Sequence, residues 1–467
     1  MTSVRRSPRP GRRRVTACAL ALALTATSLP AADGLRGCHA RRGDRVVATD
    51  GADLRLTPAS VAKLFVVAAS LHHLGPEHRV TTRLWRSGDD LVVAAAADPT
   101  WSARFGGADA ALDRLAAQVA ARGIGHLTGD LVIDPGPFRG RPAPASRATS
   151  EISFGYGAAT SALAVDDNAV AVEIAPGPRV GGPAVIRPLR RGDFEHLVID
   201  NRMLTAPATL HERGSVEALP VWGSRTIVLR GEYPISEPSY RLQLAVADGA
   251  LFAGDALREA LARRGVTFDG EVVVRTGGGR GELVASLESS PLGDLLAPIL
   301  TDSENWLAEM LLLRLAAAVR DDGRPDAGLE IVEQFLVKVV GIAPEAFVLD
   351  DASGLSPYNL ITPRAVVDLL DWARHQPWGP RLVGALARPG QGTLATWPAL
   401  PAGTRAKTGT LRHTLTLAGI LESRGGGPPL VFACMLGHRP DERPALRREL
   451  VDRVSAWSRA TSLAAPR

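Results

Sequence analysis

The sequence predicts an α/β chain of the α+β type on three observations. From about Thr82 to Glu282, short Val- and Leu-rich strands alternate with Gly/Pro/Asp turns. From Pro291 onward the apolar spacing lengthens to that of helices. Near the C-terminus three strand-like runs precede a last amphipathic helix. Hydrophobic residues make up 45% of the 467, which supports a packed core, and the length suits two or three domains.

The chain opens with Arg5, Arg6, Arg9, Arg12, Arg13 and Arg14, and no acid precedes Asp33. An apolar stretch from Val15 to Leu29 and small residues through Ala32 follow. A basic region, a short apolar core and small residues near a cleavage position describe an export signal over residues 1–32. The stretch is too short and alanine-rich for a membrane span; left uncleaved, it would give peripheral membrane contact. Cys38 follows Leu35-Arg36-Gly37, a poor lipoprotein site because an arginine stands two residues before the cysteine. The leader also accounts for the basicity. Without its six arginines, 48 basic residues face 49 acids, so the pI of 9.5 is no argument for nucleic-acid binding. Beyond the leader only Cys38 and Cys434 remain, and their pairing is open.

Arg45–Leu56 reads as extended or turning chain, with Asp50-Gly51 a turn signal. Pro58 starts a helical run from Ser60 to Leu74 whose Val61, Leu64, Phe65, Ala68 and Leu71 make an apolar face, and Gly75-Pro76 stops it. The strand-rich stretch follows, including Asp90–Ala96, Gly129–Asp134, Ala169–Ile174 and Thr226–Arg230. Two amphipathic helices interrupt it, Asp109–Arg122 and Asp255–Arg264, each with a glycine exit. Gly277–Gly281 reads as a flexible boundary. Helices are expected at Pro291–Leu300, Trp306–Val319, Ala327–Val340 and Thr362–Ala373. Strands follow at Thr404–Thr410, Thr414–Leu421 and Leu430–Leu436, and a closing helix spans Pro444–Trp457.

Three lysines occur among the 54 basic residues, and two sit in motifs. Lys63 follows Ser60 by three residues, so both lie on one helix face. A guanidinium cannot lose its proton in a protein, whereas a desolvated ammonium can and then acts as a base. Burial and a nearby Lys407 would favour the neutral amine; hydrogen bonds to the charged form would oppose it. The helix start also offers N–H groups where an oxyanion develops. Ser303-Glu304-Asn305 precedes the helix near Trp306; Ser303 would ordinarily be its N-cap, but can instead pass a proton while the Asn305 amide orients Lys63 and a substrate. Lys407-Thr408-Gly409-Thr410 lies on an expected strand, where the glycine lets a ligand approach. Lys407 and Thr408 suit a carboxylate, and the Thr410 N–H suits an oxyanion.

The order S-x-x-K, S-x-N, K-T-G is the signature of serine β-lactamases and penicillin-binding proteins. The chain resembles, from about Arg45 to Leu436, the class C low-molecular-mass penicillin-binding proteins, D-alanyl-D-alanine carboxypeptidases of the peptidase S13 type. Further matching stretches are Asp98-Pro99-Thr100, Gly129-Asp130-Leu131, Asp350–Ser356, Gly392-Thr393-Leu394 and Ala406–Leu411. Ala94–Ala97 departs from a glycine-rich run usual before Asp-Pro-Thr, and Pro357 stands where an arginine commonly follows S-G-L-S. The resemblance implies a penicillin-binding, serine β-lactamase-like catalytic domain, an antiparallel sheet flanked by helices, built from residues 33–85 and 283–467 and interrupted by a large α+β insertion over 86–282.

It implies catalytic Ser60, Lys63, Ser303 and Asn305, with Lys407, Thr408, Gly409 and Thr410 binding substrate, and no metal or cofactor. Expected partners are peptidoglycan stem peptides and β-lactams as covalent inhibitors, at an exported, cell-wall location. D,D-endopeptidase action, a β-lactamase-like hydrolase and a silent peptidoglycan-binding protein are the alternatives. Asp350, Asp351 and Ser353 read as a structural turn beside the groove. Gly390–Ala395 formally matches a dinucleotide fingerprint but lacks the strand and acid that give that motif its mechanism.

Overall fold

The computed structural model describes residues 34–140, 143–189, 195–209, 216–277, 281–423 and 425–460. The expected leader lies outside them, as does most of the Gly277–Gly281 boundary.

A five-stranded antiparallel sheet carries the C-terminal half. Its order is Thr404–Leu411, Thr414–Leu421, Leu430–Gly437, Leu35–Arg42, Arg45–Asp50. The two N-terminal strands thus complete a sheet whose other members begin only at Thr404, far along the chain. Sequence reasoning assigned no element to Leu35–Arg42, for a physical reason. The apolar residues it buries at the centre are Cys38 and Ala40, too small to show a period, amid three arginines. Cys38 sits directly opposite Cys434 in the register, and the two form a disulfide.

Strand Leu430–Gly437 is buried throughout because both faces are covered. Leu430, Phe432, Cys434 and Leu436 share a core with Leu446, Leu450, Val454 and Trp457 of the last helix, Arg443–Ala460. Val431, Ala433 and Met435 face the opposite way, into the core of helices Lys63–Leu74, Leu292–Leu300, Asn305–Arg320, Pro325–Phe335, Pro363–Arg374 and Gly379–Ala385. The last of these was not expected, since Gly379-Pro380 reads as a turn although proline suits a helix start. Lys63–Leu74 was expected to be amphipathic. Instead every residue from Lys63 to Leu71 is buried, so the helix is surrounded on all sides.

The middle of the chain has its own core. Strands Val272–Val274, Leu131–Asp134, Asp90–Ala94, Thr81–Ser87 and Glu282–Glu288 form a mixed sheet, packed against helices Ala108–Ala121 and Gly249–Arg263. The second helix begins six residues before the expected Asp255. Asp248 caps it, accepting from the Ala250 and Leu251 amides. Smaller sheets hold Ala169–Ala175 and Thr226–Pro234.

Candidate active site

The site begins with a strained turn. Ala59 has a φ of 48°, a left-handed value that a Cβ-bearing residue adopts at an energetic penalty. It starts the 3₁₀ turn Ala59–Ala62, which presents Ser60 just before helix Lys63–Leu74. Three elements hold this turn. Thr416 Oγ1 donates to the Pro58 carbonyl at 2.8 Å. Gly409 on the edge strand lies against it so closely that a Cβ there would fall 2.6 Å from the Pro58 oxygen and 2.9 Å from the Ser60 nitrogen. Gly354, with a φ of 77°, leaves no room for a Cβ against the Ala59 carbonyl. The glycine of the K-T-G element therefore lets the strand reach the serine.

Lys63 is fully buried and makes three contacts. Its Nζ lies 2.8 Å from Ser60 Oγ and 2.6 Å from Asn305 Oδ1, and it donates to the Ser353 carbonyl. Burial pulls its pKa down to about 7; Asp351, Glu309 and Glu304 oppose this, and Arg147 reinforces it. The contacts then decide a direction. A neutral amine has two N–H groups and one lone pair. Asn305 Oδ1 and the Ser353 oxygen can only accept, so they take the two N–H groups. The lone pair is left for the Ser60 hydroxyl proton. That is the geometry of a general base on its nucleophile.

Ser303 is not the N-cap of the following helix. Helix Asn305–Arg320 is preceded by Glu304, which makes no side-chain capping bond, and Ser303 is turned out with a φ of 70°. Its Oγ accepts from Lys407 Nζ at 2.8 Å, and Lys407 also donates to the Thr408 carbonyl at 2.8 Å. Lys407 is fully buried; burial and then Lys63 push it well below the ordinary lysine range, against the pull of Asp302. A bound carboxylate would offset both.

The edge strand supplies the remaining groups. Hydrogen-bonding direction alternates along an antiparallel strand. The Ala406 N–H donates to Ala387 O, away from the neighbouring strand Thr414–Leu421. Two and four residues on, the N–H groups of Thr408 and Thr410 point to the same open edge. The elements carrying the eight residues singled out from sequence thus come together around the Ser60 turn.

Three further groups were missed. Asp350, Asp351 and Ser353 lie in a structural turn as expected: Asp351 accepts from the Gly354 and Ser356 amides, Ser353 Oγ and Asn359 Nδ2. Its Ser353 carbonyl nevertheless holds Lys63. Glu309 Oε1 accepts from the Ser353 amide at 3.0 Å and from Arg147 Nη2 at 3.1 Å. Glu309 lies one turn beyond Asn305, a spacing that could have flagged it. Arg147, in an irregular Pro/Ala/Ser segment, carried no signal. Gly390–Ala395 forms the 3₁₀ turn Gly392–Leu394 packed on Thr301, not a strand-to-helix junction. Among the described residues no group of three His, Cys, Asp or Glu side chains is placed to hold a metal, and no helix is long and apolar enough to cross a membrane.

The model of the D-Ala-D-Ala carboxypeptidase 3 (S13) family matches residues 32–457. A D-alanyl-D-alanine carboxypeptidase of Actinomadura sp. (strain R39) is 32% identical over 417 residues, covering 82% of this chain and 74% of that protein. The D-alanyl-D-alanine carboxypeptidase DacB of Haemophilus influenzae is 23% identical over 400 residues, covering 82% and 81%. The crystal structure of penicillin-binding protein 4 from H. influenzae has the same fold, with a TM-score of 0.79 at 21% identity over 91% of this chain and 97% of that one.

Proposed function

This chain belongs to the D-Ala-D-Ala carboxypeptidase 3 (S13) family, and from that premise we propose that it is a serine D-alanyl-D-alanine carboxypeptidase acting on peptidoglycan stem peptides. Ser60 Oγ attacks the carbonyl carbon of the penultimate D-alanine while its proton passes to Lys63 Nζ. The oxyanion takes hydrogen bonds from the Ser60 and Thr410 N–H groups, an arrangement typically worth about 3–4 kcal/mol per donor. The C–N bond then breaks as the proton held by Lys63 passes through the Ser303 hydroxyl to the leaving D-alanine amine, which leaves an ester on Ser60, Ser303 intact and Lys63 neutral again. Water hydrolyses the ester, with Lys63 taking the water proton and Ser60 recovering its own. Asn305 holds Lys63 and the substrate amide. Lys407 and Thr408 bind the terminal carboxylate, which makes a free C-terminus a requirement.

The single observation carrying this reading is the buried Lys63 amine 2.8 Å from Ser60 Oγ, its other two partners being acceptors only. The test is intact-mass detection of one penicillin adduct on Ser60, lost in Ser60→Ala, followed by D-alanine release from a pentapeptide. An unmodified chain sinks the assignment. Rapid turnover of the drug favours the β-lactamase-like alternative.

The same cleft serves D,D-endopeptidase action on crosslinks, separable with defined muropeptides. We read residues 86–282 as an insertion in a catalytic domain built from 33–85 and 283–467. Support comes from the N-terminal strands joining the C-terminal sheet and from the separate middle core. The basic leader is read as an export signal delivering the enzyme to the cell wall, with peripheral membrane contact where it stays uncleaved.

A further inference from the structure

Glu309 is a buried carboxylate, one turn along the helix from Asn305, to which the reaction above gives no role. Its Oε1 joins two distant parts of the chain. Arg147, from the strand-rich middle, reaches it at 3.1 Å, and the Ser353 amide reaches it at 3.0 Å. The same guanidinium lies 3.9 Å from Asp351 Oδ2. Arg147, Glu309 and Asp351 are all nearly excluded from solvent.

The Ser353 residue transmits this arrangement. Its N–H is held by Glu309 and its carbonyl, in the next peptide unit, receives Lys63 Nζ, so the carboxylate anchors the residue from which the base hangs. Asp351 fixes the same residue from the other side by accepting from Ser353 Oγ at 2.8 Å. Breaking a buried charge pair by removing one partner is strongly unfavourable. Burial and then Asp351 push the Glu309 carboxyl above its ordinary range, the Arg147 guanidinium pulls it back, and the middle of the chain reaches the chemistry through this pair.

We propose that Glu309, clamped by Arg147, is a positioning residue that places and electrostatically tunes the Lys63 base through Ser353. The inference rests on the reading of Lys63 as the acylation base. The charged groups facing Lys63 are Lys407 on the edge strand, Glu304 and Glu309 at the helix start, Asp351 on the turn and Arg147 from the middle of the chain. Glu309 favours the protonated amine, so removing its charge makes the amine a weaker base.

The test measures the rate constant for penicillin acylation of Ser60 from pH 5 to 9. Glu309→Gln keeps an oxygen that can accept from Ser353 and Arg147 but removes the charge. Its pH of half-maximal acylation should fall by roughly half a unit to one unit. Glu309→Ala also removes the acceptor, and its plateau rate should drop by on the order of 10- to 100-fold, as loosened positioning predicts. Arg147→Lys, which retains the cation, should recover more of the plateau than Arg147→Met. A purely structural role would lower the melting temperature and leave the half-maximal pH where it is. An unmoved half-maximal pH in folded Glu309→Gln overturns the proposal; should Glu309→Ala not fold, the Gln variant decides alone. Absence of a penicillin adduct in the unsubstituted protein would instead overturn the assignment of Ser60 and Lys63, a separate failure.

Discussion

Replacing Lys63 by methionine should abolish acylation and at the same time stabilise the protein in a pH-dependent way. The magnitude follows from the burial of the amine. Its pKa falls from 10.5 in the unfolded chain to about 7 in the folded one. Between these values the unfolded chain binds the extra proton, so the stability of the lysine form rises with pH through that window. Integrating the shift gives an unfavourable contribution of roughly 4 kcal/mol at pH 7 and roughly 2 kcal/mol at pH 9, vanishing above pH 10.5. Methionine has a similar length and no charge to desolvate. It leaves Asn305 Oδ1 and the Ser353 carbonyl without the amine, each worth about 1 kcal/mol, but that offset does not depend on pH. Urea denaturation of both proteins from pH 6.5 to 9.5 isolates the term. The stability difference should shrink by about 2 kcal/mol between pH 7 and 9. Parallel stability profiles would mean that the folded amine stays charged throughout, and the general-base reading would fall with it.

Lys63→Arg keeps a cation but removes the base; acylation should fall by at least about 1000-fold, and a normal rate by stopped-flow would be fatal to the assigned role. In the unsubstituted protein, the acylation rate should fall about tenfold per pH unit below 7, the limb set by Lys63. A flat profile from pH 5 to 8 would exclude Lys63 as the group that must lose its proton. Gly409→Ala pushes a methyl against the Pro58 carbonyl and the Ser60 amide; we expect on the order of 100-fold slower acylation, with about 1–3 kcal/mol lost in denaturant titration. Lys407→Arg should keep partial carboxypeptidase activity, expressed as a raised KM for pentapeptide, because charge matters there more than proton transfer.

Most helices and strands of the second half were legible because they are long and periodic, while the seven-residue helix Gly379–Ala385 was too short to show a period. Leu446, Leu450, Val454 and Trp457 mark the last helix and do pack on the sheet. Leu35–Arg42 was not legible, since a strand that buries cysteine and alanine among arginines has no hydrophobic signature. Ser303 shows a different limit. Its position before a helix favours an N-cap, and its left-handed backbone, which no local pattern encodes, turns the hydroxyl to Lys407 instead.

The order of residues alone determined the chemistry on offer: a hydroxyl and an amine one helical turn apart, a second hydroxyl with an amide, and a lysine followed by a glycine on a strand. Those are covalent facts, and spacing along one element is enough to read them. Tertiary structure decided whether the amine is neutral, which backbone carbonyl holds it, and that Arg147 and Glu309 stand behind that carbonyl. Desolvation and charge act through space between segments far apart in the chain, and a peptide carbonyl looks the same at every position until the fold aims it.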